Sequence, residues 1–463
     1  MRRTGIIDLL VMGLALWLVT ESGAGLGQVF RSLVYRVPLR MVIGGFANSG
    51  PYGGFVAVTT AVCAAYGLKK HEGAHLYIVS RIALLAALMG ILILPSTLSR
   101  SAWAGLAVCL AVMAMRSRKV RIILAQRTWL LPLGISAVLV LALVAFVIKK
   151  DSAVGRLHIW HMELLAIFRH PLSGVGPGHW PNAYAQAQAL YFSAAPRSAL
   201  EVRVAGCPEY AFNEYLRIGV EYGLVGLALA IGAAVWGCRT LLVKNNPLGY
   251  GALALAVFAA GSYPSSVWQF RVLEVIFLIS ALWERSRWVV SAVFVGTLCI
   301  LTVAHRKDYV QYKEAESQWK ASRPIMQITE FEGVSEDMKE LYPVLRNNYR
   351  FVYDYGYALF KDGCYSESIR ILSEGTERSC DPMFYNILGR CHEAMGEYDA
   401  AEQAYCYSHA LVPGRLYPLV LLKEMYERIG REDRIPSVME EAARIPVNRR
   451  NRAMMDLTER LGL

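Results

Sequence analysis

The sequence predicts an all-α protein: a polytopic membrane helix bundle of about nine spans over residues 1–304, a helical linker at 305–345 and a helical repeat domain over 346–463. Three observations carry that expectation. Up to about His305 the chain runs in long uncharged apolar blocks, so a composition of 55% hydrophobic and only 18% charged residues fits neither a wholly soluble nor a disordered protein. Basic residues cluster in alternate gaps between these blocks, as they do in cytoplasmic loops. The remaining third is charged and tyrosine-rich, and it repeats with a period of 33 residues.

Blocks near the roughly 20 residues that cross a bilayer lie at 6–22, 52–68, 76–98, 102–115, 129–148, 212–236, 248–264, 266–283 and 287–304. Met1-Arg2-Arg3 starts the chain like a signal peptide, but no small-residue cleavage site follows, so the first block is read as an uncleaved helix. The block at 102–115 is short and suits a tilted, protein-packed or re-entrant helix. Lys69 and Lys70, the cluster Arg116, Arg118, Lys119, Arg121 and Arg127, Arg239 with Lys244, and Arg285 with Arg287 occupy alternate loops. These loops and the N-terminus face the cytoplasm. Strict alternation in a multi-pass inner-membrane protein then makes the loop 149–211 and everything after about 305 periplasmic. Arg31, Arg36, Arg40, Arg100, Lys149, Lys150, Arg156, Arg169, Arg197 and Arg203 fall on that outer side, against the usual bias. Either the topology is wrong, or they bind something anionic, or most form a solvated face on a loop long enough to translocate regardless of charge.

The net charge of +11 sits largely in short clusters between spans, so it points to topology and membrane lipids, not to nucleic acid. Nine cysteines include no CxxC pair, which argues against zinc ribbons and iron–sulfur clusters, and the odd number leaves at least one thiol unpaired. GxxxxGK[ST], HExxH and GxSxG are absent, as is GxGxxG in a strand-to-helix context. ATP-driven pumps, dehydrogenases, zincins and α/β-hydrolases thereby lose their main support. His158 and His161 share a helical face, but a third ligand at fitting spacing is missing; neither a metal nor another cofactor is expected.

In the C-terminal region Gly356-Tyr357-Ala358-Leu359 through Gly363-Cys364-Tyr365 matches Gly389-Arg390-Cys391-His392 through Gly396-Glu397-Tyr398, 33 residues later, and a third copy ends at Gly430. The pattern looks like tetratricopeptide repeats. Small residues let paired helices approach, Gly363, Gly396 and Gly430 make the turns, and Ala401 with Tyr405 packs the second helix. The third copy is degenerate, with Lys423 in place of its first glycine. Such arrays are binding scaffolds, which suggests a protein partner; the alternative is a cap that only stabilises the membrane part.

Five short motifs remain. They are Gly45-Phe46-Ala47-Asn48-Ser49-Gly50-Pro51-Tyr52-Gly53-Gly54; Leu98-Ser99-Arg100-Ser101-Ala102-Trp103; Gly155-Arg156-Leu157-His158-Ile159-Trp160; His170-Pro171-Leu172-Ser173-Gly174-Val175-Gly176-Pro177-Gly178; and Tyr210-Ala211-Phe212-Asn213-Glu214-Tyr215-Leu216 with Glu221-Tyr222-Gly223-Leu224-Val225-Gly226-Leu227. In this order, over roughly residues 25–285, the set resembles the O-antigen ligase and polymerase superfamily. Its members are polytopic enzymes that move a glycan from a polyprenyl-diphosphate carrier to an acceptor. The resemblance implies a metal-independent glycosyltransferase of the ligase, polymerase or protein O-glycosyltransferase type, with a glycan, lipid or protein acceptor. It also implies that Arg100 and Arg156 face the carrier diphosphate.

That chemistry fits the residue types. An acceptor hydroxyl attacks the anomeric carbon while a diphosphate departs, and arginine meets the departing charge with a bidentate fork. The competing readings are an interfacial snorkelling arginine for Arg100 and a plain salt bridge for Arg156. Many members carry a histidine immediately before the loop-end asparagine, but Phe212 stands there, so the base cannot be carried over. Glu214 is the nearest candidate, with Glu209, Glu221 and His179 behind it. Asn213, Glu221, His179, Gly176, Gly178 and Asn48 are the candidate substrate-binding residues, the glycines being turn-formers first and close-approach points for phosphate second. Relatives usually begin with several more spans, which implies a truncated start, a reduced member or an inactive one. The rival class is a polysaccharide transporter or non-catalytic scaffold. Intramembrane acid–base pairs would favour it, yet the spans hold few charges besides Arg81, Glu221, Arg271 and Glu274.

Overall fold

The computed structural model describes residues 3–36, 41–69, 71, 73–129, 132, 136, 150–286, 306–446 and 451–463. The expected span at 287–304, nearly all of the one at 129–148, and Arg40, Lys70, Lys149 and Arg287 lie outside these residues. Among the described residues the structure is all-helical, without a strand. Two compact units emerge: one from Met1–Ala153, Tyr210–Ile218 and Val225–Val295, the other from Val154–Glu209, Gly219–Leu224 and Gly296–Leu463.

Nine spans were expected, and three described helical stretches, Gly5–Val34, Ala74–Thr97 and Glu214–Val243, are long and apolar enough to cross a membrane. The shortfall has physical reasons. Helix Ser49–Gly67 is 19 residues long and buried at every position except Gly50, so it meets protein and not lipid. It packs against helices Arg3–Val34, Ala74–Ile93, Arg100–Arg116 and Leu248–Ala259, and its glycines, serine and threonines suit such close approach at the expense of hydropathy. At Gly54 a Cβ would lie 2.2 Å from the Phe258 ring. The helix expected at 102–115 runs over Arg100–Arg116, only 17 residues, and Leu248–Ala259 has 12. Helix Trp268–Arg285 carries Arg271, Glu274, Glu284 and Arg285. Leu18, Tyr52, Phe55, Phe258 and Phe270 fill the core of this unit.

In the second unit, helices Tyr349–Lys361 and Tyr365–Thr376 form one pair, Met383–Ala394 and Tyr398–Leu411 the next, and Tyr417–Ile429 precedes Ile435–Ala443. Gly363, Gly396 and Gly430 close the first helix of each pair at φ of 77°, 77° and 71°, conformations that disfavour a side chain. Gly356 and Gly389 let the paired helices touch: a Cβ there would lie 2.5 Å from Leu372 and 2.3 Å from Tyr405. At the equivalent place Lys423 reaches outward, to Glu427 at 3.2 Å and to the Arg460 carbonyl at 3.1 Å. Helix Trp180–Ala194 rests on Tyr398–Leu411, and Asn182 donates to the Thr376 carbonyl at 2.9 Å. A Cys207–Cys380 disulfide, with Cα atoms 5.4 Å apart, also joins the 154–209 segment to the helix pairs.

Candidate functional site

Three of the five motifs meet within the first unit. Asn48 caps helix Ser49–Gly67 by accepting from the Gly50 N–H at 3.2 Å, which aims its Nδ2 at the Tyr263 hydroxyl, 3.3 Å away. The motif around Arg100 turns through Leu98, whose φ is +49°, and is pinned by Ser99 Oγ donating to the Gly50 carbonyl at 3.3 Å and Trp103 Nε1 donating to the Leu94 carbonyl at 3.1 Å. Gly53 is required at this crossing, because a Cβ would sit 2.6 Å from Thr97 Oγ1. Arg100 then opens its helix, half-buried and without an ion pair among the described residues.

The loop-end motif reaches the same tyrosine. Tyr263, buried, stacks face to face on Tyr210 with centroids 3.9 Å apart, and Phe212 meets its edge at 5.4 Å. Phe212 adopts a φ of +53°, a backbone state that bulky residues rarely take, which turns the chain directly into the helix start. Asn213 caps Glu214–Val243, accepting from the N–H groups of Tyr215 at 3.1 Å and Leu216 at 3.2 Å. Glu214 follows as the first helical residue, a favourable place for a carboxylate. It is 5% exposed; Oε1 accepts from Arg217 Nε at 2.7 Å, while Oε2 has no hydrogen-bond partner among the described residues. Glu214 lines a cavity of about 380 Å³ with Tyr215, Ile218, Pro264, Ser265 and Glu274. Glu274 stands in electrostatic reach of Glu214, Arg271 and Arg217.

The other motifs assemble within the second unit. Gly223 breaks the helix at φ 67° and ψ −172°, and the loop 171–178 takes up the freed backbone groups. Val175 donates to the Val220 carbonyl at 3.0 Å, Gly176 to the Glu221 carbonyl at 2.9 Å, and Leu224 to the Pro171 carbonyl at 2.7 Å. The buried Glu221 carboxylate accepts from the Gly178 N–H at 3.0 Å. Gly174, Gly176 and Gly178 all have positive φ, and a Cβ on Gly223 would strike the Leu172 carbonyl oxygen at 2.2 Å. His179 is half-buried, its Nδ1 3.1 Å from the Pro177 carbonyl. Arg156 is half-buried on helix Lys150–Arg169. From the same helix His158 pairs with Gln188 at 2.9 Å, and both His158 and His161 set their rings against Tyr191. Burial holds the His158 pKa below its ordinary value; the Tyr191 and Ser198 hydroxyls with the Ser198 N–H draw Glu201 down to about 2.

Arg100, Asn48, Asn213 and Glu214 thus belong to the first unit, and Arg156, Gly176, Gly178, His179 and Glu221 to the second. Glu209 pairs with Arg350 at 2.8 Å. Sequence reasoning missed Tyr263, Arg217 and the Cys207–Cys380 pairing. Arg217 was legible as an i, i+3 partner of Glu214. Tyr263 had only its Pro-flanked place between two apolar blocks, and nine scattered cysteines do not disclose their connectivity.

The O-antigen ligase family model matches residues 84–231, about a third of the chain. That segment contains Arg100, Arg156, the glycine loop, Asn213, Glu214 and Glu221. No curated protein matches the chain.

Proposed function

We propose that the protein transfers a glycan from a polyprenyl-diphosphate carrier to an acceptor hydroxyl on the periplasmic side of the inner membrane. The observation that carries this reading is the similarity of residues 84–231 to O-antigen ligases, which takes in both arginines and the loop-end motif. The acceptor oxygen forms its bond to the anomeric carbon as the bond to the diphosphate oxygen breaks. The electron pair leaves with the diphosphate, whose charge Arg100 neutralises. Glu214 takes the acceptor proton on Oε2, while Arg217 fixes Oε1. The mostly apolar cavity beside Glu214 suits a prenyl chain. The disulfide between Cys207 and Cys380 supports a common, oxidising side for the 149–211 loop and the C-terminal domain. The helix pairs are read as tetratricopeptide-like repeats that recruit an acceptor or an assembly partner.

The test is the purified full chain in proteoliposomes with a fluorescent lipid-linked glycan and a hydroxyl acceptor. Labelled acceptor and free polyprenyl diphosphate are expected without added metal or nucleotide; neither product forming would sink the reading. A transporter is the second reading, favoured by the grouping of Glu274 with Glu214, Arg217 and Arg271. In the same vesicles it would move the lipid-linked glycan across the bilayer without consuming it.

A further inference from the structure

We propose that a cleft of about 500 Å³ beside the Cys207–Cys380 bridge in the second unit binds a saccharide carrying one acidic group. One wall comes from Pro181, Pro208 and Glu209, and the others from helices Arg306–Ile328 and Tyr349–Lys361 and the segment 378–381. Its volume lies within the range of small-ligand sites.

Four arginines line it, Arg323, Arg350, Arg378 and Arg415, against three carboxylates, Glu209, Asp354 and Asp381. Two arginines are fixed. Arg323 donates to the buried Asp354 at 2.8 Å, and Trp319 Nε1 holds the same carboxylate at 3.1 Å. Arg350 donates to Glu209 at 2.8 Å and to the Tyr349 hydroxyl at 3.1 Å. Arg415 lies 3.9 Å from Asp381, too far for a hydrogen bond, and Arg378 has no ion pair among the described residues. Four arginines against three carboxylates leave the cleft one surplus positive charge, on Arg378, beside the loosely paired Arg415.

Its remaining chemistry suits a sugar. Tyr349, half-buried, offers a ring face for the C–H side of a pyranose, while Tyr353 lines the cleft with its ring packed against Tyr357 and Phe384. Held guanidinium and carboxylate groups match neighbouring hydroxyls as paired donors and acceptors. Arg378 and Arg415 then meet a carboxylate or phosphate on the ring. The role of the cleft as an acceptor subsite rests on the transfer reading, whereas binding itself does not.

The experiment is calorimetric titration of the full chain in nanodiscs with four probes: a glucose trisaccharide in which one unit is glucuronic acid, the neutral glucose trisaccharide, a hexose phosphate and inorganic phosphate. The acidic trisaccharide is expected to bind at least tenfold more tightly than the neutral one, and the hexose phosphate decides whether carboxylate or phosphate is preferred. Arg378→Ala should weaken acidic binding about tenfold and Arg378→Lys less, while Arg370→Ala, outside the cleft, should leave it unchanged; melting curves check that each variant folds. Equal binding of the neutral sugar, inorganic phosphate binding as tightly as either acidic sugar, or indifference to Arg378→Ala in a folded variant overturns the proposal. Binding with this dependence but without glycan transfer keeps the cleft and removes the transfer reading; transfer without binding does the reverse.

Discussion

Helices touch at glycines in both units, but the second unit wraps its aromatic and aliphatic core in a charged skin, with many surface ion pairs among its described residues. Gly53, Gly54 and Gly90 in the first unit leave no room for a Cβ against Ser99, Phe258 and Thr60. In the second, Phe351, Tyr355, Phe384 and Tyr405 fill the interior, and the surface is laced with pairs such as Arg370 with Glu367 and Glu374. The difference tells how to weigh a polar group. A surface ion pair in the helix pairs contributes about 0–1 kcal/mol and is the ordinary state of a solvated helix. A buried carboxylate held by Arg217 beside an apolar cavity is costly to keep without a use.

That weighting is tested most severely by transfer activity. Arg100→Ala or Glu214→Gln should raise the barrier by about 2–4 kcal/mol, roughly 30- to 1,000-fold in rate. Arg100→Lys should also impair transfer, because the fork is lost although the charge remains. Arg370→Ala, which breaks an ion pair of the other kind, should leave the rate within twofold. Steady-state transfer in proteoliposomes gives all four numbers, and equal effects of Arg100→Ala and Arg370→Ala would erase the distinction between the units. Phe212→His accompanies them: a gain in rate would mark the base position as vacated, and no change would favour Glu214 or direct substrate assistance.

The next largest effect belongs to the second unit alone. Replacing Cys207 and Cys380 together by serine removes a cross-link between positions 173 residues apart and should cost about 2–4 kcal/mol in that unit. Hydrogen exchange on the full chain should show faster opening around helices Trp180–Ala194 and Met383–Ala394, with the protection of Ser49–Gly67 unchanged. Loss of protection in both would mean that the two units unfold as one.

How much was readable in advance follows the same division. The helix pairs were legible because a repeat writes its turns into fixed positions, and Gly363, Gly396 and Gly430 stand where the period put them, with Ala401 and Tyr405 buried. The spans were legible in part: three described stretches are long and apolar enough to cross a membrane, and an apolar run does not say whether lipid or protein surrounds it, as the buried helix Ser49–Gly67 shows. Among the site residues, the caps Asn48 and Asn213 were picked out for their motifs, and their backbone role follows from residue type. Glu221 was named behind Glu214 as a candidate base, but the break at Gly223 and the Gly178 N–H give its carboxylate a loop-holding contact that the sequence does not disclose. Tyr263 joins two motifs from a distant loop, and only the tertiary fold brings it there.

The tightness of helix contacts in the two units can be compared with one kind of substitution. Gly54→Ala and Gly389→Ala each place a methyl group 2.2–2.3 Å from an aromatic ring, Phe258 in the first unit and Tyr405 in the second. Overpacking of this sort costs about 1–3 kcal/mol. Gly389 and Tyr405 are as buried as Gly54 and Phe258, but helix Met383–Ala394 is buried at half of its positions and Ser49–Gly67 at nearly all, so the smaller loss is expected in the helix pairs. Gly363→Ala isolates the backbone contribution, since no atom lies within 4 Å of its Cβ and only the φ of +77° opposes it; about 1 kcal/mol is expected. Thermal melts of the three variants order the effects, and a Gly363→Ala loss larger than either of the others would show that turn geometry outweighs packing.

The smallest effect is pH-dependent and again confined to the second unit. Burial lowers the His158 pKa; His161 pushes the same way, while the hydrogen bond to Gln188 and the charge on Glu201 oppose it. Between the folded value and the ordinary value near 6.5 the unfolded chain binds more protons than the folded one, so stability rises with pH across that interval. The contribution is complete above about pH 6.5 and falls away as the pH drops below it, with a slope of at most about 1.4 kcal/mol per pH unit for one proton. Glu201, held down to about 2 by the Tyr191 and Ser198 hydroxyls, stays ionised throughout and does not supply the slope. Melting of the second unit followed from pH 7.5 to pH 5 should therefore show a decline that His158→Gln flattens, with His161→Gln as the control for the neighbouring imidazole. A decline that His158→Gln leaves untouched would assign the acid sensitivity to another group and leave the buried imidazole as a packing residue.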